Sequence, residues 1–200
     1  MVASKAKQAK RATANMNAID LLKEDHARVK KLFKAFEKAK ERDHDAIADI
    51  VTSACTELKI HSKIEEEIFY PAVRAKADHE LEELLNEAKV EHGSVDGLVE
   101  KLTTVKMDDE MYKANFTVVV EYVKHHVQEE EKEMFPKVRK LKGLDLNDLA
   151  RQLRARQEKL MGELVKDVEP SAHENIEDEA LAMAAQSKKS KAPRGPRASR

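Results

Sequence analysis

The chain has 200 residues, 41% of them hydrophobic and 38% charged, with only 5 Gly, 5 Pro and a formal net charge of −1. So few turn-formers exclude a strand-dense sandwich or barrel and predict a few long helices, and no apolar run approaches the roughly 18 residues of a membrane span. A single cysteine, Cys55, excludes an intrachain disulfide and fits a reducing compartment, so a cytoplasmic protein is expected.

Residues 1–16 form a basic arm, with Lys5, Lys7, Lys10 and Arg11, that is read as disordered. It lacks the apolar stretch of a secretory signal, and only its basic, acid-free character is shared with organelle transit peptides. Asn17, Asp43, Asp78 and Asp108 each precede a periodic stretch, as helix N-caps do, because a side-chain oxygen satisfies an otherwise orphan amide. Helices are predicted at about 17–41, 43–76, 78–106 and 108–142, the last ended by Gly143. Their short links force neighbours to run antiparallel, so an all-α, up-down-up-down four-helix bundle is expected over residues 17–142. Leu146, Leu149, Leu153, Leu160 and Leu164 continue a helical stripe. They predict a C-terminal helical extension over 143–186: a helix at about 145–168, which covers the bundle or pairs with another chain, and a short one at 172–186.

The tail, 187–200, carries Lys188, Lys189, Lys191, Arg194, Arg197 and Arg200, and Pro193, Gly195 and Pro196 bar a helix there. Removing the ten basic residues of the two arms from the total of 37 leaves 27 against 38 acidic ones. An acidic body with basic arms is not an ordinary nucleic-acid-binding domain. The arms are read as solubilising, with weak contact to an anionic partner as the alternative. A monomer or homodimer is expected, with no membrane partner.

Each bundle helix carries an apolar seam at alternating spacings of three and four. In the first it is Ile19, Leu22, Val29, Phe33 and Phe36, and in the second Ile47, Val51, Ala54, Leu58, Ile68 and Ala72. In the third it is Leu81, Leu85, Ala88, Val95, Val99 and Leu102, and in the fourth Tyr112, Phe116, Val119, Val123, Met134, Val138 and Leu141. Six seam positions are not apolar: His26, His61, Glu65, His92, His126 and Glu130. An unpaired ionisable group there costs several kcal/mol in lost solvation, on the order of the penalty for any buried charge. Counted from the turns at about 1.5 Å per residue, His61, Glu65, His92 and His126 fall within roughly two helical turns of one another.

The chain also repeats itself. HSKIEEEIFYPAVR (61–74) aligns without gaps on HVQEEEKEMFPKVR (126–139), at an offset of 65, and His26 and His92 are 66 apart. Two copies of one His, His-x3-Glu unit facing each other suggest two metal ions. Pro71 and Pro136, late in their helices, are expected to kink the last turns. His-x3-Glu also occurs at His79/Glu83, His125/Glu129 and His173/Glu177, but off the seams or beyond the bundle. These histidines and His44 are read as surface residues. Cys55, beside Ala54, is read as a buried, inert thiol.

The order His26, His61-x3-Glu65, His92, His126-x3-Glu130, with the EEEIFYP and EEKEMFP tails, resembles the hemerythrin, or HHE cation-binding, family. The resemblance covers about residues 17–142. It implies a non-haem di-iron centre with His26, His61, His92 and His126 as terminal ligands and Glu65 and Glu130 bridging. Ligand type alone admits zinc or manganese as well. The family's oxygen carriers have two histidines four apart in the third helix and a final Asp five residues past its His. Here only His92 is present, flanked by Ala88 and Asp96, and the final acid is Glu130, at four. That leaves a coordination position for water, a substrate or another ligand, with Asp96 a candidate ligand and Tyr122 a candidate pocket residue. Phe33, Val95, Val99 and Val123 are candidates to limit water access.

The expected function is binding of O2, NO or peroxide, for sensing, scavenging or iron handling. The alternative is an enzyme turning over peroxide or nitric oxide. No further acid is evidently aimed at the site, which favours binding. A ferritin-like carboxylate site, with Glu-x2-His, is disfavoured by spacing and order.

Overall fold

The computed structural model describes residues 16–39 and 43–167. The chain divides into two units, residues 1–161 and 162–200, and of the second only residues 162–167 are described. The expectations for most of the basic arm, for His173, for the helix at 172–186 and for the basic tail lie outside the described residues.

Every regular element among the described residues is helical. Helix α1 (Ala18–Lys38) is followed by α2 (His44–Ile64), which passes through a π-helical turn (Glu65–Phe69) into α3 (Tyr70–Arg74). Helix α4 is His79–Thr104. Helix α5 (Glu110–Glu129) passes through a second π turn (Glu130–Met134) into α6 (Phe135–Val138), and α7 is Leu146–Asp167. No described helix is long and apolar enough to cross a membrane.

Side-chain caps start the helices. The carboxylates or amide of Asn17, Asp43 and Asp78 accept from the amides of Asp20, Ala46 and Leu81 at 3.2, 3.3 and 3.0 Å. The fourth cap is Asp109, which accepts from Met111 N at 2.8 Å, and not Asp108. A turn closed by Asp109 N to Lys106 O at 3.0 Å delays the helix by one residue. Helix α6 ends at Val138, short of the expected 142, and Gly143 then takes φ 75°, a left-handed conformation that glycine adopts at no steric cost.

Polar contacts fix the chain directions. Asp25 and Arg28 of α1 meet His61 and Glu57 of α2, so sequence runs up one helix and down the other. Glu66 and Arg74 meet His92 and Asn86. Asp20, His26 and Glu37 meet Arg139, Glu131 and Lys124. Successive neighbours α1, α2–α3, α4 and α5–α6 are therefore antiparallel, as an up-down-up-down bundle requires. One end of the bundle is filled by an apolar cluster that includes Phe33, Val51, Val99 and Phe116, with Phe36 edge-on to Phe116 at 4.7 Å. Toward the other end Phe69 meets Phe135 edge-on at 5.9 Å.

The π turns correct the predicted seam. Beyond Glu65 the second helix buries Phe69 and Val73, while Ile68 and Ala72 are only half-buried. Each turn closes from residue i+5, Tyr70 N to Glu65 O and Phe135 N to Glu130 O. One extra residue therefore enters the turn and everything after it rotates. The prolines follow these turns at the start of α3 and α6, so the change of register lies just ahead of the expected kinks.

Up to Met161, helix α7 lies on the bundle. Leu149, Ala150, Leu153 and Leu160 are buried, and Arg156 bonds Glu67 through Nε at 2.6 Å.

Candidate metal centre

Between the two apolar ends, the structure brings all six predicted residues together. His26 comes from α1, His61 from α2, His92 from α4 and His126 from α5, and Glu65 and Glu130 open the two π turns. All six are at most 5% exposed. The Nε2 atoms of His26 and His61 are 3.2 Å apart, as are those of His92 and His126. Glu65 Oε2 lies 3.2 Å from His61 Nε2 and 3.5 Å from His92 Nε2. Glu130 Oε2 lies 3.1 Å from His26 Nε2 and 3.5 Å from His126 Nε2. Each glutamate therefore reaches across both histidine pairs. Two groups could hold a metal ion here: His26, His61, Glu65 and Glu130, and Glu65, His92 and His126.

Four more carboxylates surround the imidazoles, three of them within hydrogen-bond distance of a ring nitrogen and the fourth farther off, and the expectation that no other acid addresses the site is wrong. Asp25 of α1 faces His61 Nδ1 at 3.5 Å. Glu66 accepts from His92 Nδ1 at 3.0 Å, Glu91 from His126 Nδ1 at 2.8 Å and Glu131 from His26 Nδ1 at 3.0 Å. Each long helix thus sends an acid to the histidine of the next. The signal was in the repeat: both copies carry an acid just before the upstream histidine (Asp25, Glu91) and just after the glutamate (Glu66, Glu131). A residue one position along a helix points about 100° away, toward the neighbouring helix here instead of toward water.

Tyr70 is the other residue missed. Its buried hydroxyl donates toward Glu130 Oε1 at 3.0 Å and Glu65 Oε2 at 3.3 Å, and stands 3.5 Å from His92 Nε2. Its ring stacks on His92 with centroids 5.6 Å apart, and Phe135, its equivalent at the repeat offset, stacks on His26 at 5.9 Å. The two candidates for this place fall away: Tyr122 is 47% exposed and Asp96 faces solvent. His44, His79 and His125 are exposed, as expected. A cavity of about 20 Å³ adjoins the histidines and is walled by Val29, Leu58, Val95, Val123 and Val127. Of the expected gating residues, Val95 and Val123 line it, whereas Phe33 and Val99 belong to the apolar cluster.

The electrostatics follow from this packing. Burial, with Glu130 and Asp25 nearby, holds the Glu65 carboxyl well above its usual range. Glu130 is pulled far below it: burial opposes ionisation, but His126 and His26 outweigh it. Burial and His126 push His92 down to about 3, and burial lowers His61. For His26 and His126 burial is outweighed by carboxylates, Glu130 foremost, and both are raised.

The donors fit a cation pair. An imidazole that gives its Nδ1 proton to a carboxylate presents a bare lone pair at Nε2. Where both Nε2 atoms of a pair are bare, lone pairs facing each other at 3.2 Å repel unless a proton or a metal cation lies between them. Two nitrogens about 2.1 Å from one ion, at an angle near 100°, would stand roughly 3.2 Å apart. Glu65 Oε1 is buried with no hydrogen-bond partner, which is costly for a carboxylate oxygen left without a donor, and Glu130 Oε2 meets only the Nε2 atoms of His26 and His126.

Comparison with known proteins agrees. The family model of the hemerythrin HHE cation binding domain matches residues 17–138. The fold is similar to the crystal structure of a hemerythrin HHE cation binding domain-containing protein from Mycobacterium kansasii. The TM-score is 0.65 at 24% identity, over 79% of this chain and 95% of that one. No curated protein matches significantly. With more than half its length matched by that family model and its His and Glu side chains grouped as a metal site requires, the chain belongs to the hemerythrin HHE cation-binding domain family.

Proposed function

We propose that this protein holds two iron ions, with His26, His61, His92 and His126 as terminal ligands and Glu65 and Glu130 spanning the pair, and that it binds O2, NO or peroxide beside them. The observation that carries this reading is the pairing of Nε2 atoms at 3.2 Å in two histidine pairs that Glu65 Oε2 and Glu130 Oε2 both reach. Donor type suits zinc and manganese too, and iron is the metal that the resemblance implies. An iron pair would supply electrons and open coordination positions for a small oxygen- or nitrogen-containing ligand.

The rest is the work of the chain. Glu66, Glu91 and Glu131 fix the ring orientation and tautomer of three histidines. The cavity of about 20 Å³ has room for about one water or a ligand of that size, and its valines and leucine keep bulk water out. Tyr70 Oη holds a proton against both spanning carboxylates.

That phenol supports a second reading, turnover of peroxide or nitric oxide, because both reactions move protons to the oxygen that leaves as water and need a group at the site to hand them on. Iron content and the visible spectrum of the purified protein test the first reading, with about two irons per chain expected. Mixing with peroxide separates the two: evolution of many equivalents of oxygen per protein supports turnover, and a single spectral change without it supports binding. Purified protein that carries no iron and takes up none under anaerobic Fe(II) would contradict both.

A further inference from the structure

Besides the exchange of Tyr70 for Phe135, the pseudo-symmetry of the centre is broken among the outer partners of the imidazoles, at one histidine. Three imidazoles are held at Nδ1 by carboxylates at 2.8 to 3.0 Å. His61 is not: Asp25 Oδ2 stands 3.5 Å away, and Nδ1 is buried without a hydrogen-bond partner. Asp25 is engaged elsewhere. Arg28 donates to its Oδ1, and the side-chain amide of Gln157, on α7, lies 3.4 Å from Oδ1 and 3.3 Å from Oδ2. Glu91, the equivalent of Asp25 at the repeat offset of 66, is one methylene longer and reaches His126 at 2.8 Å.

We infer that Gln157 is a positioning residue through which α7 loosens the hold on His61, so that the His26–His61 cation position is weaker than the His92–His126 position. This rests on the two-cation reading above. Helix α7 thereby becomes a control element of the centre: a shift that withdraws Gln157 frees Asp25 to accept the His61 Nδ1 proton, fixing the tautomer and strengthening the ligand. Loss of such an outer partner typically changes metal affinity 10- to 100-fold, which sets the inequality expected.

The test uses the full chain loaded anaerobically with Fe(II) and titrated with a chromophoric iron chelator. In the wild type one iron leaves at about 10- to 100-fold lower chelator than the other. In Gln157→Leu the two phases converge, and in Asp25→Asn the weak phase alone weakens further. In the metal-free chain, the His61 ring nitrogen resonances move in Gln157→Leu while those of His126 stay, a change that a merely structural helix contact would not confine to one ring. Asp25→Glu, which supplies the missing methylene with Gln157 in place, tests reach against competition: if it alone merges the phases, side-chain length and not α7 sets the inequality, and the proposal falls. Release of both irons in one phase from the wild type, or unchanged phases in Gln157→Leu, overturns the inference and leaves the two-cation reading standing. A chain that bound no iron would overturn that reading itself.

Discussion

At the scale of single residues, the centre depends on side chains that touch no ligand position directly. Glu131 bonds His26 and Lys30, and the bond to His26, helped by Lys30 against partial burial, brings its carboxyl down to about 2. Glu66→Ala strips His92 of its Nδ1 partner and should lower cation affinity about 10- to 100-fold without emptying the site, as measured by chelator competition. An unchanged affinity would show that the ring is held by packing on Tyr70 alone. Tyr70→Phe leaves Glu130 Oε1 without its hydroxyl donor, so the metal-free protein should lose about 1–3 kcal/mol in denaturant unfolding. Cys55 is half-buried, and burial pushes its thiol from 9.0 up to about 11. The sign is that of an acid kept neutral by folding: its contribution to stability is present below about pH 9 and is lost as the pH climbs through about 11. At pH 8, alkylation of the folded chain should be many-fold slower than that of the urea-unfolded chain, and equal rates would contradict the burial.

At the scale of elements, the two π turns decide which side chains point inward. Heptad-like counting is legible in the sequence as long as each turn holds 3.6 residues, which is why His26, His61, His92 and His126 could be placed on seams from spacing alone. It fails for Ile68 and Ala72, because the turn that begins at Glu65 contains an extra residue and rotates Phe69, Tyr70 and Val73 into the interior. Tyr70 was therefore hidden from a seam count, although its place beside the repeated proline is plain in the sequence. The outer carboxylates were hidden for another reason: a residue adjacent to a seam faces water in an isolated helix, and only the packed neighbour shows that Asp25 or Glu91 meets an imidazole instead. The cavity wall is an element-scale property as well. Val95→Phe or Val123→Phe should fill the space of about 20 Å³ at a cost of about 1–3 kcal/mol of overpacking. It should suppress binding of NO to the iron-loaded protein while iron content stays at the wild-type level. NO binding unaffected by either substitution would place the ligand elsewhere.

At the scale of the whole molecule, a bundle that sets four imidazoles and two carboxylates between two apolar ends balances folding against cation binding. In the metal-free protein burial holds the Glu65 carboxyl well above its usual range, while His126 and His26 hold that of Glu130 well below it, within one dry space; any cation that binds only the folded chain should raise its stability. At a hundredfold excess over the dissociation constant, the gain is about 2.7 kcal/mol for a single site.

Anomalous diffraction at the iron edge, from crystals of the iron-loaded chain, locates the ions most directly. Two peaks are predicted inside the bundle, one beside the Nε2 atoms of His26 and His61 and one beside those of His92 and His126, with Glu65 and Glu130 between them. A single peak, or peaks outside these six side chains, such as on the partly exposed group of Glu91, His125 and Glu129, would contradict the two-ion centre.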